Sequence, residues 1–407
     1  MAAGARVLGE LISGIGSGRR KEELLCSCGA RMESKGRKEK TILTILGETR
    51  FLRSMYECPQ CGRSRYPGDE ELDIVGTTRS PGLRRMMARV GSKETFKEGS
   101  EDLMVFAGIR VSPKDVERVS EKIGMEMEEW SSREREELAV REEPVKQKKT
   151  NPILYVSYDG TGVPMVPKEL AGRKGKQPDG SAKTREAKLG CVFTQTTTDE
   201  DGRPVRDPGS TTFVGAIESA EQFGRRIYAE AVRRGLYKAQ KVVVLGDGAR
   251  WIRGLAELHF PMATQIIDLY HAREHISDLC KLLFGSNQKK ITDHRTRWWT
   301  DLDEGNVEKI ALEAKKKLPE NPELKEKAET TIAYFEENRE RMRYAKFREE
   351  GFFVGSGVVE AGCKTIVGKR LKQSGMEWSV PGANSILSLR CNHLSNRMEE
   401  FWESRAS

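Results

Sequence analysis

Two short, mainly apolar runs end in the same way. Residues 152–157 (PILYVS) lead into Tyr158-Asp159-Gly160-Thr161-Gly162, and residues 241–245 (KVVVL) lead into Gly246-Asp247-Gly248. A continuous apolar run of this length is the pattern of a strand buried on both faces, which needs helices above and below it. That points to an α/β sheet and away from an all-helical or sandwich fold. In open α/β sheets, ligands bind beyond the carboxyl ends of the strands. Each run carries its aspartate there, beside glycines expected to leave room for a cation or a phosphate. Converging carboxylates are what a pair of divalent cations requires, one serving the attacking oxygen and one the leaving oxygen. A turn or N-cap aspartate is the plainer reading of either one alone.

The flanking sequence extends the α/β pattern. Residues 189–196 and 210–217 are strand-like, 219–236 form an amphipathic helix, and 250–258 a second helix. Residues 263–269 read as a further strand ending in Tyr270-His271. A glycine-rich loop over 168–188 holds seven basic and three acidic residues. Residues 272–350 read as helix throughout. Then Gly355-Ser356-Gly357 precedes VVEAGCKTIVGKRLKQ, a helix by its spacing, with Glu360 near its head. The helix dipole there favours a carboxylate. Lys364 lies one turn on and shares its face; Lys369, Arg370 and Lys372 continue the basic character. Such a helix suits an active-site edge facing phosphates, although as a bare pattern it equally describes an ordinary surface helix.

Four of the eight cysteines form two close pairs, Cys26-Ser-Cys28-Gly and Cys58-Pro-Gln-Cys61-Gly, joined by a segment that reads as a β-hairpin around Gly47-Glu48. A hairpin leading into such a knuckle is how zinc ribbons are built, and four thiolates suit tetrahedral Zn2+. The first pair is CxC rather than CxxC, and plain buried or redox cysteines are the alternative. Cys191, Cys280, Cys363 and Cys391 read as small apolar core residues. Residues 80–149 are helical: Ser80-Pro81 and Ser112-Pro113 are start signals. Two helices around Gly108 suggest a helix-turn-helix, and 121–149 suggest a solvated connecting helix. Lys and Arg number 70 against 62 Asp and Glu, a net charge of +8, which permits a nucleic-acid partner without requiring one. No run approaches the roughly 20 apolar residues that span a bilayer. The N-terminus lacks the basic start and cleavage site of a signal peptide, and the unpaired cysteine usage fits a reducing compartment.

The segments YVSYDGTGVP, VVVLGDGARWI, IIDLYHAREHI and, above all, GSGVVEAGCKTIVGKRLKQSGMEW resemble the DDE transposases of prokaryotic insertion sequences. The likeness is greatest to the Kra-type group and more distant to Mutator-like transposases. It runs from the CPQCG knuckle to the C-terminus. It implies an α/β fold with an RNase H-like catalytic core, in which Asp159 is the first Asp, on the first strand. Asp247 would follow the fourth strand, and Glu360 would stand on the closing helix. Together they would hold two Mg2+ or Mn2+ ions. The stretch between Asp247 and Glu360 is too long for an uninterrupted core, so 272–350 would be an all-α insertion. The implied organisation is a zinc ribbon over 1–75 and a helical DNA-binding region over 76–149. The core would span 150–271 and 351–407, around that insertion. Asp268-Leu-Tyr-His271 matches an Asp/Cys-x-x-His signature, whose His271 would hydrogen-bond DNA or support the site. Trp298-Trp299 would stack on unpaired bases at an element's end, though aromatic pairs in helices are more often core. His259, His275, His294 and His393 receive no role.

The implied partners are double-stranded DNA, both terminal inverted repeats and target, with a homodimer or larger assembly on it, no membrane, and a place in the prokaryotic cytoplasm at the nucleoid. Lys364, Lys369 and Arg370 would contact the DNA. The short N-terminus would fit a truncated copy that has lost a dimerising or DNA-binding helix but kept the triad. The alternatives are an RNase H-like, structure-selective endonuclease and a transposase-derived zinc-ribbon DNA-binding regulator without catalysis.

Overall fold

The computed structural model describes residues 2–15, 23–139, 150–175 and 177–406. The chain divides into two compact units, Met1–Glu128 with Arg397–Ser407, and Glu129–Asn396. In the first, helix α1 (Ala2–Ile15) packs on an antiparallel hairpin of β1 (Glu33–Thr44) and β2 (Gly47–Glu57). The turn sits at Ile45-Leu46, two residues earlier than expected, because the Thr44 side chain organises it: its Oγ1 donates to the Gly47 carbonyl (2.8 Å) and accepts from the Leu46 amide (3.1 Å). Strand β3 (Ser64–Arg65) pairs with β2, and the short α2 (Pro67–Glu71) follows.

Three helices come next, α3 (Pro81–Lys93), α4 (Phe96–Ala107) and α5 (Pro113–Ala139). Two of their starts, α3 and α5, are the ones the sequence signals, and the capping box that starts α4 is added by the structure. Ser80 Oγ accepts from the Leu83 amide (3.3 Å) and Ser112 Oγ from the Asp115 amide (3.1 Å), while Thr95 and Glu98 form a reciprocal capping box. Such caps satisfy amides that a helix leaves unpaired. Leu83, Met87, Leu103, Ile109, Val111 and Val116 form the shared core. The expected connecting helix is the continuation of α5; its positions 140–149 lie outside the described residues. It is not wholly solvated, since Ile123 and Met127, four apart on one face, are buried.

The second unit is built on a five-stranded mixed sheet. In chain order its strands are β4 (Asn151–Pro164), β5 (Thr184–Gln195), β8 (Thr212–Ala216), β9 (Ala239–Gly246) and β10 (Thr264–Ile267), with a separate two-stranded ribbon of β6 (Thr197–Thr198) and β7 (Pro204–Val205) between β5 and β8. The spatial order is β10-β9-β4-β5-β8. Strands β4, β9 and β10 run parallel, and β5 is antiparallel to both its neighbours. Strand β4 does not stop at Ser157. It pairs with β5 as far as Pro164 opposite Thr184, absorbing what reads in sequence as a second short run.

Helices α6 (Ala220–Arg233) and α7 (Arg250–His259) cover one face, where Leu154, Val156, Tyr158 and Val192 meet Phe223, Ile227, Ile252 and Leu255. Alternation along the strands sends Tyr155 and Phe193 to the other face, against Phe353. From β10 the chain enters helices α8 (Leu269–Phe284), α9 (Gln288–Asp303), α10 (Val307–Lys315), α11 (Pro322–Asn338) and α12 (Tyr344–Glu349). Tyr270 and His271 thus lie in the first turn of α8 rather than at a strand's end, because Asp268 caps that helix. The chain then returns to the sheet with α13 (Gly357–Gly362), a π-helical segment (Cys363–Gly368), α14 (Lys369–Leu371) and α15 (Val380–Leu394). Among the described residues no helix is long and apolar enough to cross a membrane.

Candidate active site

The four paired cysteines come together in the first unit, with their sulfurs all within 4.8 Å of one another. Cys26 Sγ stands 3.6 Å from Cys61 Sγ and Cys28 Sγ 3.5 Å from Cys58 Sγ. Zn–S bonds of about 2.3 Å at tetrahedral angles place sulfurs about 3.8 Å apart, so the set fits one Zn2+. The glycines after each pair turn the backbone as anticipated: Gly29 and Gly62 have φ of +89° and +69°. The amides so exposed stabilise thiolates. The Cys28 amide, above all, brings Cys26 down to about 6, and the Cys61 amide lowers Cys58. The CxC spacing is no obstacle, because each pair makes its own turn, with Gly29 and Gly62 amides donating to the Cys26 and Cys58 carbonyls (both 2.9 Å).

In the second unit, Asp159 lies within β4 where its parallel partner stops. The last pairing with β9 is Ser157 to Leu245, and β4 then continues against β5 alone. Asp247 is the first residue beyond β9, so two carboxylates issue from neighbouring strands at one sheet edge. Each is fixed by a nearby amide: Gly160 N–H donates to Asp159 Oδ1 (2.6 Å) and Ala249 N–H to Asp247 Oδ1 (2.8 Å). The neighbouring glycines do not make room for a ligand. A Cβ on Gly160 would stand 2.3 Å from Glu186 Oε1, and one on Gly162 2.8 Å from Thr184 Oγ1, so these glycines admit side chains of β5 on the face away from Asp159. Gly248 has φ +86°, and a Cβ there would meet the Tyr334 hydroxyl at 2.9 Å. That hydroxyl donates to the Asp247 carbonyl (3.1 Å).

Glu360 stands in the first turn of α13, where Ser356 Oγ donates to its Oε1 (2.9 Å). Electrostatics link the three acids. Burial holds the Asp159 carboxyl above the ordinary aspartate range, and the negative charges of Asp247 and Glu360 raise it further. Like charges act this way on near neighbours, so the three carboxylates share one neighbourhood. They are spread more widely than the cysteines, which alone among the described residues form a group within 4.8 Å. The Cys363 thiol donates to Asp159 Oδ2 (3.7 Å), and burial pushes that thiol well up.

Of the other residues singled out by sequence, Lys364 and Lys369 are exposed on the segment after Glu360. Arg370 is not available to DNA. It is fully buried, with its guanidinium 5.1 Å above the Trp378 ring. Trp298 is equally buried, and its Nε1 donates to Glu313 Oε2 (3.1 Å), so it cannot stack on a base. Trp299 is half-buried, its indole N–H given to the Arg273 carbonyl (3.2 Å) and its ring flanked by the Arg273 and Arg295 guanidiniums. Tyr270, 64% exposed, lies against Gly355. His271 Nε2 meets His275 Nε2 at 3.1 Å, and His275 stacks on Tyr334. Burial, followed by the neighbouring His271, lowers His275.

Two supporting groups were not evident from sequence. Lys372 donates to Thr161 Oγ1 on β4, two residues from Asp159. Asp268, which the sequence shows only as half of a signature, is 1% exposed. Its Oδ1 accepts the His271 amide (2.7 Å), its Oδ2 accepts the Ser356 amide, and its own amide donates to the Gly246 carbonyl (2.8 Å). An aspartate followed three residues later by a helical run is an N-cap signal, but nothing in sequence announces the second bond.

Comparison with known proteins bears on the second unit most directly. Residues 222–402 match the model of UPF0236, an uncharacterised protein family. One UPF0236 protein of Caldanaerobacter subterraneus subsp. tengcongensis, named for eleven loci of that genome, is 25% identical over 371 residues, covering 88% of this chain and 70% of the relative. A second from the same organism, named for four loci, is 22% identical over 372 residues, with coverage of 88% and 70%. A third is 23% identical over 369 residues, covering 88% and 71%. The family match includes Asp247, Asp268 and Glu360 but begins after Asp159. Among solved structures, the Drosophila P element transposase strand transfer complex aligns with 81% of this chain and 82% of its own, at 10% identity and a TM-score of 0.26, too slight a likeness to bear on the fold.

Proposed function

We propose that this protein is a DDE-type DNA transposase. The observation that carries the reading is geometric: Asp159 and Asp247 issue from neighbouring strands where β4 and β9 part, and Cys363, three residues beyond Glu360, touches the Asp159 carboxylate; burial, with the charges of Asp247 and Glu360 adding to it, raises that carboxyl. Three acids set against one another need a compensating positive charge, and divalent cations with oxygen ligands supply it. Asp159, Asp247 and Glu360 would hold Mg2+ or Mn2+, and a spread set of oxygens suits two ions about 3.5–4 Å apart. When bound, the ions would provide Lewis-acid activation of the attacking oxygen and neutralise charge on the leaving one. The order of the parts supports the sequence resemblance. Asp159 is on the first strand of the sheet, Asp247 follows the fourth, Glu360 is on a later helix, and helices α8–α12 intervene. Relatives named for many loci of one genome fit a mobile element's gene.

The protein's own groups would act by position. Ser356 orients the Glu360 carboxylate, and the exposed Lys364, Lys369 and Lys372 offer charge to the phosphate backbone. Water would attack the phosphodiester at the element's end, forming a P–O bond and releasing the 3′ oxygen as a hydroxyl. That hydroxyl would attack a target phosphodiester, forming a new P–O bond and expelling the target's 3′ oxygen. In the first unit, the cysteine knuckle and the α4–α5 pair would read the terminal repeats. Two ends must meet, which calls for a dimer or larger assembly on DNA.

The test uses fragments of the DNA flanking the gene. Wild-type protein with Mn2+ should nick a fragment and join its 3′-hydroxyl to a plasmid, whereas Asp159→Asn should bind the fragment but neither nick nor join. Nicking without joining would favour a structure-selective endonuclease. Binding alone by the wild type would favour a regulator, and cleavage surviving in Asp159→Asn would overturn the site.

A further inference from the structure

Two of the three proposed catalytic acids have no direct bond between them, yet one buried residue touches, through its backbone amide, the strand end beside one and, through its carboxylate, the segment that carries the other. The Asp268 amide donates to the carbonyl of Gly246, the residue before Asp247 (2.8 Å). Asp268 Oδ2 accepts the Ser356 amide, and Ser356 Oγ donates to Glu360 Oε1 (2.9 Å). The second oxygen, Oδ1, caps α8 through the His271 amide (2.7 Å). Two further bonds pin the same returning loop: the Leu269 amide donates to the Val354 carbonyl (2.9 Å) and the Phe353 amide to Tyr155 Oη (3.2 Å). The loop arrives there only after helices α8–α12, so neither chain proximity nor strand pairing places it.

We propose that Asp268 is a positioning residue, a bridge whose backbone amide holds the strand end before Asp247 and whose carboxylate holds the segment that carries Glu360. The inference rests on the reading of the three acids as a metal site. An N-cap needs one acceptor oxygen, and serine or asparagine would serve α8 as well. Two acceptors in a fixed fork, both on amides and both buried, exceed what capping requires. Bonds from amides to a charged, desolvated carboxylate are the strong kind. The bridge therefore fixes Ser356, and through its hydroxyl the Glu360 carboxylate.

Asp268→Ser separates the two tasks, because a serine hydroxyl retains the cap on the His271 amide and cannot also reach Ser356. Two measurements are made on the full-length protein. The first is amide hydrogen exchange over residues 353–362, which does not depend on any activity. The second is Mn2+ binding, followed by the loss of the free-ion electron spin resonance signal, with the zinc site already filled. The expected result for Asp268→Ser is a near wild-type melting temperature, faster exchange at Ser356 and Glu360, and a Mn2+ dissociation constant raised about tenfold or more, on the scale seen when groups supporting metal ligands are removed. Asp268→Asn, isosteric but with only one acceptor, should behave in the same direction. Unchanged exchange and unchanged Mn2+ affinity in both variants would overturn the bridge and leave Asp268 a plain cap. Faster exchange in the variants with no Mn2+ bound by the wild type would uphold the bridge and overturn the metal reading of the acids instead.

Discussion

Gly362 offers a sharp test of how closely the Glu360 helix must sit on the sheet. In an isolated helix, replacing glycine with alanine stabilises by about 1 kcal/mol, so Gly362→Ala would ordinarily be a stabilising change. Here a Cβ would stand 2.7 Å from Phe213 Cε1, 3.2 Å from its Cδ1 and 3.0 Å from Leu189 Cδ2. Ordinary carbon contacts lie at about 3.5–4.0 Å. Phe213 cannot recede easily: its strand pairs with Cys191 of β5, and its amide is held by Ser395 Oγ (2.8 Å). Overpacking of this kind costs about 1–3 kcal/mol, so the helix gain is offset and the net effect is a loss of up to about 2 kcal/mol. The cheapest relief is for α13 to move off the sheet, and Glu360 is only two residues from the added methyl. Gly362→Ala should therefore unfold at slightly lower urea concentration and bind Mn2+ several-fold more weakly, both read on one preparation. A variant that is more stable by about 1 kcal/mol with wild-type Mn2+ affinity would refute the packing argument, since only helix propensity would then be acting.

The four cysteines should hold one zinc per chain, and Cys58→Ser should lose it, because Cys58 is 1% exposed and its sulfur faces inward on the cluster. Structural zinc contributes on the order of 10 kcal/mol of apparent binding energy to such small modules. The variant should therefore lose the cooperative melting of the first unit while the second unit's transition persists; reduced wild-type protein without zinc would sink the assignment. The Mn2+ affinity of the acid site should fall on acidification earlier than an ordinary aspartate would dictate. Asp159 is raised in the folded state, so protons displace the cation as pH drops through that raised value, while the metal-free protein gains stability from this group over the same window. A Mn2+ affinity independent of pH down to the ordinary aspartate range would contradict it.

Different parts of this structure were legible in sequence to different degrees, and the reasons are physical. Strands buried on both faces announce themselves by apolar runs, and β9 and the core of β4 were readable on that account. The ends of β4 were not, because an antiparallel partner with its own polar residues, Thr184 to Lys188, extends the strand through a polar stretch. The caps at Ser80 and Ser112 were visible as local chemistry, since each bond closes within three residues. The bridge at Asp268 was not, because its second partner is 88 positions away. Burial is likewise a property of the whole fold: Arg370 and Trp298 read as surface contacts only because sequence shows charge and aromaticity without showing what covers them.

The basic stretch after Glu360 shows why charge alone misreads a helix. At about 100° per residue a regular helix would set Lys364 close to the face of Glu360, Lys369 on the opposite face, and Arg370 about 100° or more from either lysine, on the side of Cys363. The segment Cys363–Gly368 is instead wound as a π-helix, whose bonds close one residue later. Every position beyond it is rotated relative to the regular count. Lys364, Lys369 and Lys372 remain exposed, but Arg370 is turned inward onto Trp378, with Leu371 buried beside it. The same segment sets Cys363 against Asp159 while Ile366 and Val367 stay inside. Cys363, Ile366, Val367 and Arg370 all face inward while Lys364 and Lys369 face out, so the segment that carries Glu360 meets the sheet edge through a buried stripe that ends in an arginine, and the cations open to a phosphate backbone are those outside that stripe.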